Sequence, residues 1–324
     1  MEFDRTVELN VDAYGPYARI SAIADFLEAG ALAGKSTSQI QLSDIIRRNS
    51  WSSVQKHAFI TGAEDFPQND IERTDDDQGE DSEDELPEDN PEEWASFTFS
   101  TLADRADILR DQYPFFVTKE GLTYRTEKFD ESDYLRLLSI TLAHSYNATV
   151  PNVRDIFERV TVGSLALIGN AAAPVGTARD VSMGFIGTLS TAAKTLGFTP
   201  APQPAPRHAR ARDGKVDAVA RLTQHDGRPG QITIVAQATC AKSDQWERKI
   251  RDPRADHWMS YLSERVEPLV ILTVPHHVQL EHLHYLIGPK QTVMDRLRLT
   301  GQLPPITRKE QRVLEWMRRS NWEL

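Results

Sequence analysis

The chain is poor in cysteine: Cys240 is the only one in 324 residues. That excludes an internal disulfide and fits a reducing compartment, with Cys240 read as a small core residue. Long apolar runs are also missing. No stretch approaches the roughly 18 apolar residues of a bilayer-crossing helix. The first ten residues, MEFDRTVELN, have neither the basic start nor the apolar run of a signal peptide. A cytoplasmic protein that does not engage a membrane is expected. No Walker-type glycine loop occurs, which excludes a P-loop NTPase. The histidines His276, His277, His282 and His284 lack both cysteine partners and an HExxH spacing, which argues against zinc.

What is present is ordinary in bulk and uneven in distribution. Hydrophobic residues make up 40% and charged residues 26%, as in a soluble globular protein. The length allows two or three domains. The net charge of −11 hides two unlike halves. From residue 151 onward there are 24 Lys+Arg against 17 Asp+Glu, a charge of +7. The preceding residues hold 13 basic and 31 acidic groups, a charge of −18. A basic half is what a polyanion-binding surface requires.

Composition and periodicity divide the chain. Residues 1–63 read as an N-terminal helical region, with Ile20, Ile23, Ala24, Phe26 and Leu27 at helical spacing. Residues 64–93 contain TDDDQGEDSEDELPEDNPEE, a run with almost nothing to bury. It is expected to be a disordered acidic linker, and its charge density resembles that of a polyphosphate, a possible occupant of a basic groove. Residues 94–150 combine helices with a hairpin, PFFVTKEGLTYR, in a winged-helix-like module. Residues 151–324 form an α/β domain. It has helices over 151–168 and 184–196, then a Pro/Arg-rich connection, then strands over 216–223 and 231–239 joined by a turn. A helix opened by Ser243 and Asp244, a further helix and a buried strand over 268–274 follow. The tail to Leu324 reads as helical.

Within that domain the candidate chemistry is carried by Asp217 and Gln237, on adjacent strands. Alternation along QITIVAQAT puts Val235, Gln237 and Thr239 on one face and Ile232, Ile234, Ala236 and Ala238 on the other. A hard divalent cation takes oxygen ligands of these kinds, and phosphodiester cleavage needs such a cation.

The segments DGKVDAVARL, GQITIVAQAT and the following W and K resemble the PD-(D/E)xK, or restriction-endonuclease-like, superfamily of nucleases, over about 120 residues. The resemblance implies an αβββαβ core. It is similar to the Mrr-type variant that has Gln in the second acidic position. It further implies that Asp217, Gln237 and the Ala238 carbonyl hold Mg²⁺, with Mn²⁺ able to substitute. Glu158, on the preceding helix, is the candidate for one more carboxylate. The pattern departs at Thr239, where the family has its lysine. Some members recruit that lysine from the next helix, and Lys242 and Lys249 are the candidates here. The implied function is DNA cleavage in a bacterial restriction or antiviral defence setting, with a helicase or ATPase subunit as partner and a homo-oligomer for cutting both strands. The alternative is a nuclease fold kept as a DNA-binding or assembly module without catalysis.

Overall fold

The computed structural model describes residues 6–48, 90–125, 129–176, 184–198, 215–222, 226, 228, 230–262 and 266–324. The acidic run, apart from residues 90–93, and the Pro/Arg-rich connection at 200–214 lie outside the described residues.

Strand β1 (Thr6–Glu8) leads to helices α1 (Arg19–Leu32) and α2 (Gln39–Arg48). Helix α3 (Pro91–Leu109) begins inside the stretch expected as linker. Asn90 supplies the reason: its side chain accepts from the Glu92 and Glu93 amides, and Pro91 occupies the first turn. The expected hairpin is present as β2 (Phe115–Thr118) and β3 (Gly121–Tyr124). Gly121 has φ 134°, and a Cβ there would lie 2.8 Å from the Thr37 carbonyl oxygen. Helix α4 (Asp133–Ser145) follows, capped by Ser132.

Helix α5 (Val153–Gly169) ends at Asn170, whose left-handed φ of 68° turns the chain directly into β4 (Asn170–Pro174). Next come α6 (Phe185–Leu196), β5 (Ala218–Leu222), β6 (Ile232–Ala238), α7 (Trp246–Arg251), α8 (Ala255–Leu262) and β7 (Leu269–Thr273). The chain continues through α9 (Leu280–Leu286), β8 (Gln291–Met294), α10 (Arg296–Leu299), α11 (Arg308–Arg319) and β9 (Asn321–Glu323). The fold is thus mixed α/β. Its main sheet has the order β4-β5-β6-β7-β8, with β5 antiparallel to both neighbours and β6, β7 and β8 parallel.

Helices cover both faces. Ile234 and Ala236 of β6 share a core with Phe157, Val160 and Leu165 of α5. Val235 faces the other way, into a core with Leu189 of α6 and Trp258 of α8. Leu272 of β7 packs with Trp246 and Ile250 of α7 on that second face, further along the sheet.

The tail differs from the helical reading. It contains β8, which extends the main sheet, and β9, which pairs in parallel with β1. The core on the α5 face runs from Val7 through α1 and α4 to Trp322, so it is continuous across residue 150. Its centre is α1, where Asp25 and Glu28 are buried. Arg296 grips Asp25 through two 2.7 Å bonds, and Arg105 lies 2.9 Å from Asp25 and 3.0 Å from Glu28. Two carboxylates thus face two guanidiniums. Tyr113 and Tyr134 also donate to Glu28. Burial works to raise the Asp25 carboxyl, but Arg296 and Arg105 hold it below its ordinary value.

Candidate active site

Asp217 sits one residue ahead of β5, and its backbone is clamped from both sides. Its N–H donates to the Ala236 carbonyl at 2.8 Å, and its carbonyl accepts from Val175 and Gly176 at 2.9 and 3.0 Å. The side chain is set as well, because Oδ2 accepts the Ala238 N–H at 2.8 Å. Gly176 leaves the room that this requires. A Cβ there would stand 2.4 Å from Asp217 Oδ1.

Gln237 lies on β6, one step beyond the Ala218–Ala236 pair and so across from Asp217. It shares the face of Val235, as the alternation implies. The residue is 7% exposed. Its Oε1 is buried and has no hydrogen-bond partner among the described residues. The N–H and C=O of one strand residue point to the same edge. The Ala238 N–H is aimed at Asp217, so its carbonyl is on that side too. Asp217, Gln237 and Ala238 are therefore brought together at one end of the β5–β6 pair.

The remaining candidates are placed differently. Glu158 is buried on α5, the helix of the opposite face, where it acts with Arg154 on the Cys240 thiol. Its neighbour Thr161 bonds Thr273 Oγ1 at 2.9 Å on that same face. Among the described residues no group of three or more His, Cys, Asp or Glu is gathered for a metal. Glu158 thus does not join Asp217 in such a group, and the histidines do not form one.

Thr239 is buried, and its Oγ1 accepts the Ala241 N–H at 3.1 Å. Lys242 is exposed and donates to the Asp12 carbonyl at 2.5 Å. Lys249 is half-buried on α7. The caps expected at Ser243 and Asp244 do not form. The turn before α7 opens at Lys242 without a side-chain cap, and Ser243 Oγ is buried without a partner among the described residues. Cys240 is a core residue, and burial pushes its thiol upward.

One feature of this end of the sheet was not visible in the sequence. The segment from Asn10 to Ala18 lies on the loops that follow β6 and β7. Tyr14 meets His276 edge-on at 5.9 Å, and Tyr17 contacts His282 at 4.5 Å. A Cβ on Gly15 would come within 2.8 and 2.9 Å of the Ser243 and Asp244 nitrogens. Burial holds His276 and His282 at about 4, in the neutral form. No aligned pattern in one sequence signals a contact between residues 230 apart, such as Lys242 and Asp12.

No protein-family model, curated protein or solved structure matches the chain. Among the described residues, no helix is long and apolar enough to cross a membrane.

Proposed function

We propose that the chain is a metal-dependent nuclease that cleaves DNA phosphodiester bonds, with Mg²⁺ held by Asp217, Gln237 and the Ala238 carbonyl. The observation that carries this reading is the buried, unpartnered Gln237 Oε1 opposite the Asp217 carboxylate. Leaving such an oxygen unsatisfied costs about 1–3 kcal/mol. Local costs of this kind concentrate where a ligand completes the site.

The donor set fits a hard cation: one carboxylate, one amide oxygen and one carbonyl, all on rigid strand backbone. When bound, the ion activates water and neutralises the charge that develops on phosphate. The protein's own part is to hold these oxygens in place. Gly176 makes room for the carboxylate, and the Ala238 N–H fixes its rotamer. The element order α5–β4–β5–β6–α7–β7 supports the reading too, since it follows an αβββαβ plan with α6 and α8 inserted. As part of the same proposal, the resemblance to the superfamily suggests a bacterial restriction or antiviral defence role, with a helicase or ATPase subunit or a second copy of the chain as partner.

Plasmid nicking with Mg²⁺ or Mn²⁺ tests the reading. Asp217→Ala should lower the rate about 100-fold or more. Equal nicking by that variant would remove the assignment. A second reading, a nuclease fold kept for binding and assembly, is favoured by one observation. Thr239 stands in the lysine position with its hydroxyl engaged by the Ala241 N–H. Calorimetry separates the two, because Mn²⁺ uptake that needs Asp217 is absent on the second reading.

A further inference from the structure

We propose that the outward face of α3, with the first turn of α9, docks a basic amphipathic helix of a partner protein and does not bind nucleic acid. This stands independently of the Asp217–Gln237 reading.

Helices α2 and α3 pack together ahead of the β2–β3 hairpin. In a helix-turn-helix DNA reader the second helix of such a pair enters the major groove, and phosphates are met by Arg and Lys. The α3 sequence does the opposite. Its one cation, Arg105, is fully buried against Asp25 and Glu28. Glu92, Glu93, Asp104 and Asp107 are all exposed. Such a face repels a phosphate backbone.

Two of these acids stand where the helix itself disfavours them. Glu92 and Glu93 occupy the first turn, and Arg47 pairs with Glu92. Asp104 and Asp107 lie in the last two turns, where the helix dipole opposes a carboxylate and the last turn holds no basic residue. Neither has an ion-pair partner among the described residues. Being three residues apart, they share a flank, and Glu281 of α9 faces the same spot. Burial and the charges of Asp107 and Glu281 push the Asp104 carboxyl up. Three carboxylates thus repel one another with no cation between them. A local cost of this kind marks a place where a partner completes the structure.

The same face carries large apolar side chains. Phe97 is 42% exposed, Ile108 62% and Leu280, beside Glu281, 62%. Phe97, Asp104 and Ile108 are seven and four residues apart and so form one stripe. Ser100 and Ala103, exposed between them, are small enough to let a second helix lie close. Phe97 and Ile108 are about 16 Å apart along the axis, some three turns. A helix with apolar residues at i, i+4, i+7 and i+11 matches that span. Lysines or arginines along its border then meet Asp104, Asp107 and Glu281, which supplies the missing positive charge.

The test uses the full chain. Cys240, the only cysteine, is buried, so Ser100→Cys adds a single exposed thiol for an environment-sensitive dye. The probe is a synthetic Leu/Lys helix of about 18 residues with its leucines on one stripe. Its addition should shift the dye emission to the blue and saturate, and a scrambled peptide of equal charge should not. In calorimetry on unlabelled protein, Phe97→Ser with Ile108→Ser should weaken binding about 10-fold. Asp104→Asn with Asp107→Asn should weaken it less, and Asp104→Lys with Asp107→Lys should abolish it and favour a Leu/Glu helix instead. Unchanged peptide affinity in these variants overturns the proposal. So does a dye that responds to duplex DNA and not to the peptide, which assigns the face to DNA. Self-association lost in Phe97→Ser with Ile108→Ser assigns it to a second copy and overturns the proposal as well.

Discussion

Gln237→Met should make the metal-free protein more stable and the metal-loaded protein less so. Gln237 is 7% exposed, between the apolar neighbours Val235 on its own strand and Leu272 on the next. Its Oε1 has no donor among the described residues. Methionine is close in volume and flexible enough to fill the same space. Replacing the amide removes an unsatisfied polar group, a gain of about 1–3 kcal/mol. The metal acts in the opposite direction. An ion bound only by the folded state adds about 4.1 kcal/mol at 1,000 times its Kd. The parent should gain that amount from Mn²⁺, and Gln237→Met should gain almost none. Urea unfolding in EDTA and again in saturating Mn²⁺ measures both, and the stability order of the two proteins should invert between the buffers. If Gln237→Met is less stable in EDTA, the amide is a satisfied core group and the reasoning fails.

The buried charge cluster supports a second prediction. Arg296→Met leaves the Asp25–Glu28–Arg105 group with a net negative charge at zero exposure, a cost of about 3–5 kcal/mol. Adding Asp25→Leu restores neutrality and should recover most of that loss in the same urea assay; additive losses would refute the idea. The third prediction concerns pH. His276 is fully buried and held at about 4, below its ordinary 6.5, so the folded state keeps it neutral. Its contribution is complete above pH 6.5 and is lost as pH falls from there toward 4, about 3 kcal/mol in all. His282 acts in the same direction. The Asp25 carboxyl, held below its ordinary value, adds a further loss at still lower pH. Urea midpoints at pH 7, 5.5 and 4.5 should fall in that order, and His276→Phe should flatten the fall between 7 and 4.5. Unchanged midpoints down to pH 4.5 would contradict the burial argument.

The legible parts of the fold are those with a strong local period. QITIVAQAT alternates and is rich in β-branched residues, so β6 and its pairing with β5 could be read directly. Residues 151–168 carry a helical stripe that survives as α5. Strand β4 was missed for a physical reason. Its sequence is Asn-Ala-Ala-Ala-Pro, and alanine favours helix, so only the neighbouring β5 makes it a strand. Strands β8 and β9 are short, and β9 is defined by a partner strand at the other end of the described chain. For the candidate site, periodicity could place Gln237 on a face and Asp217 at a strand start. It could not say that α5 covers the opposite face, which is what separates Glu158 from Gln237. It also could not say that Lys242 is engaged elsewhere, because the segment that holds Lys242 comes from the far end of the chain.

The central position of α1 has a consequence for the order in which the molecule can be made. Asp25 leaves the ribosome 271 residues before Arg296, the cation that neutralises it in the core. Until then α1 carries two carboxylates with Arg105 alone to offset them, an imbalance that cannot be buried without a large cost. Its apolar surface, from Ile20 to Ala31, must stay exposed or find a temporary cover. Folding of the central core is therefore a late event, set by the synthesis of α10 rather than by that of the helix at its heart. A nascent chain stalled before residue 296 should remain protease-sensitive in α1, and one released after α10 should not.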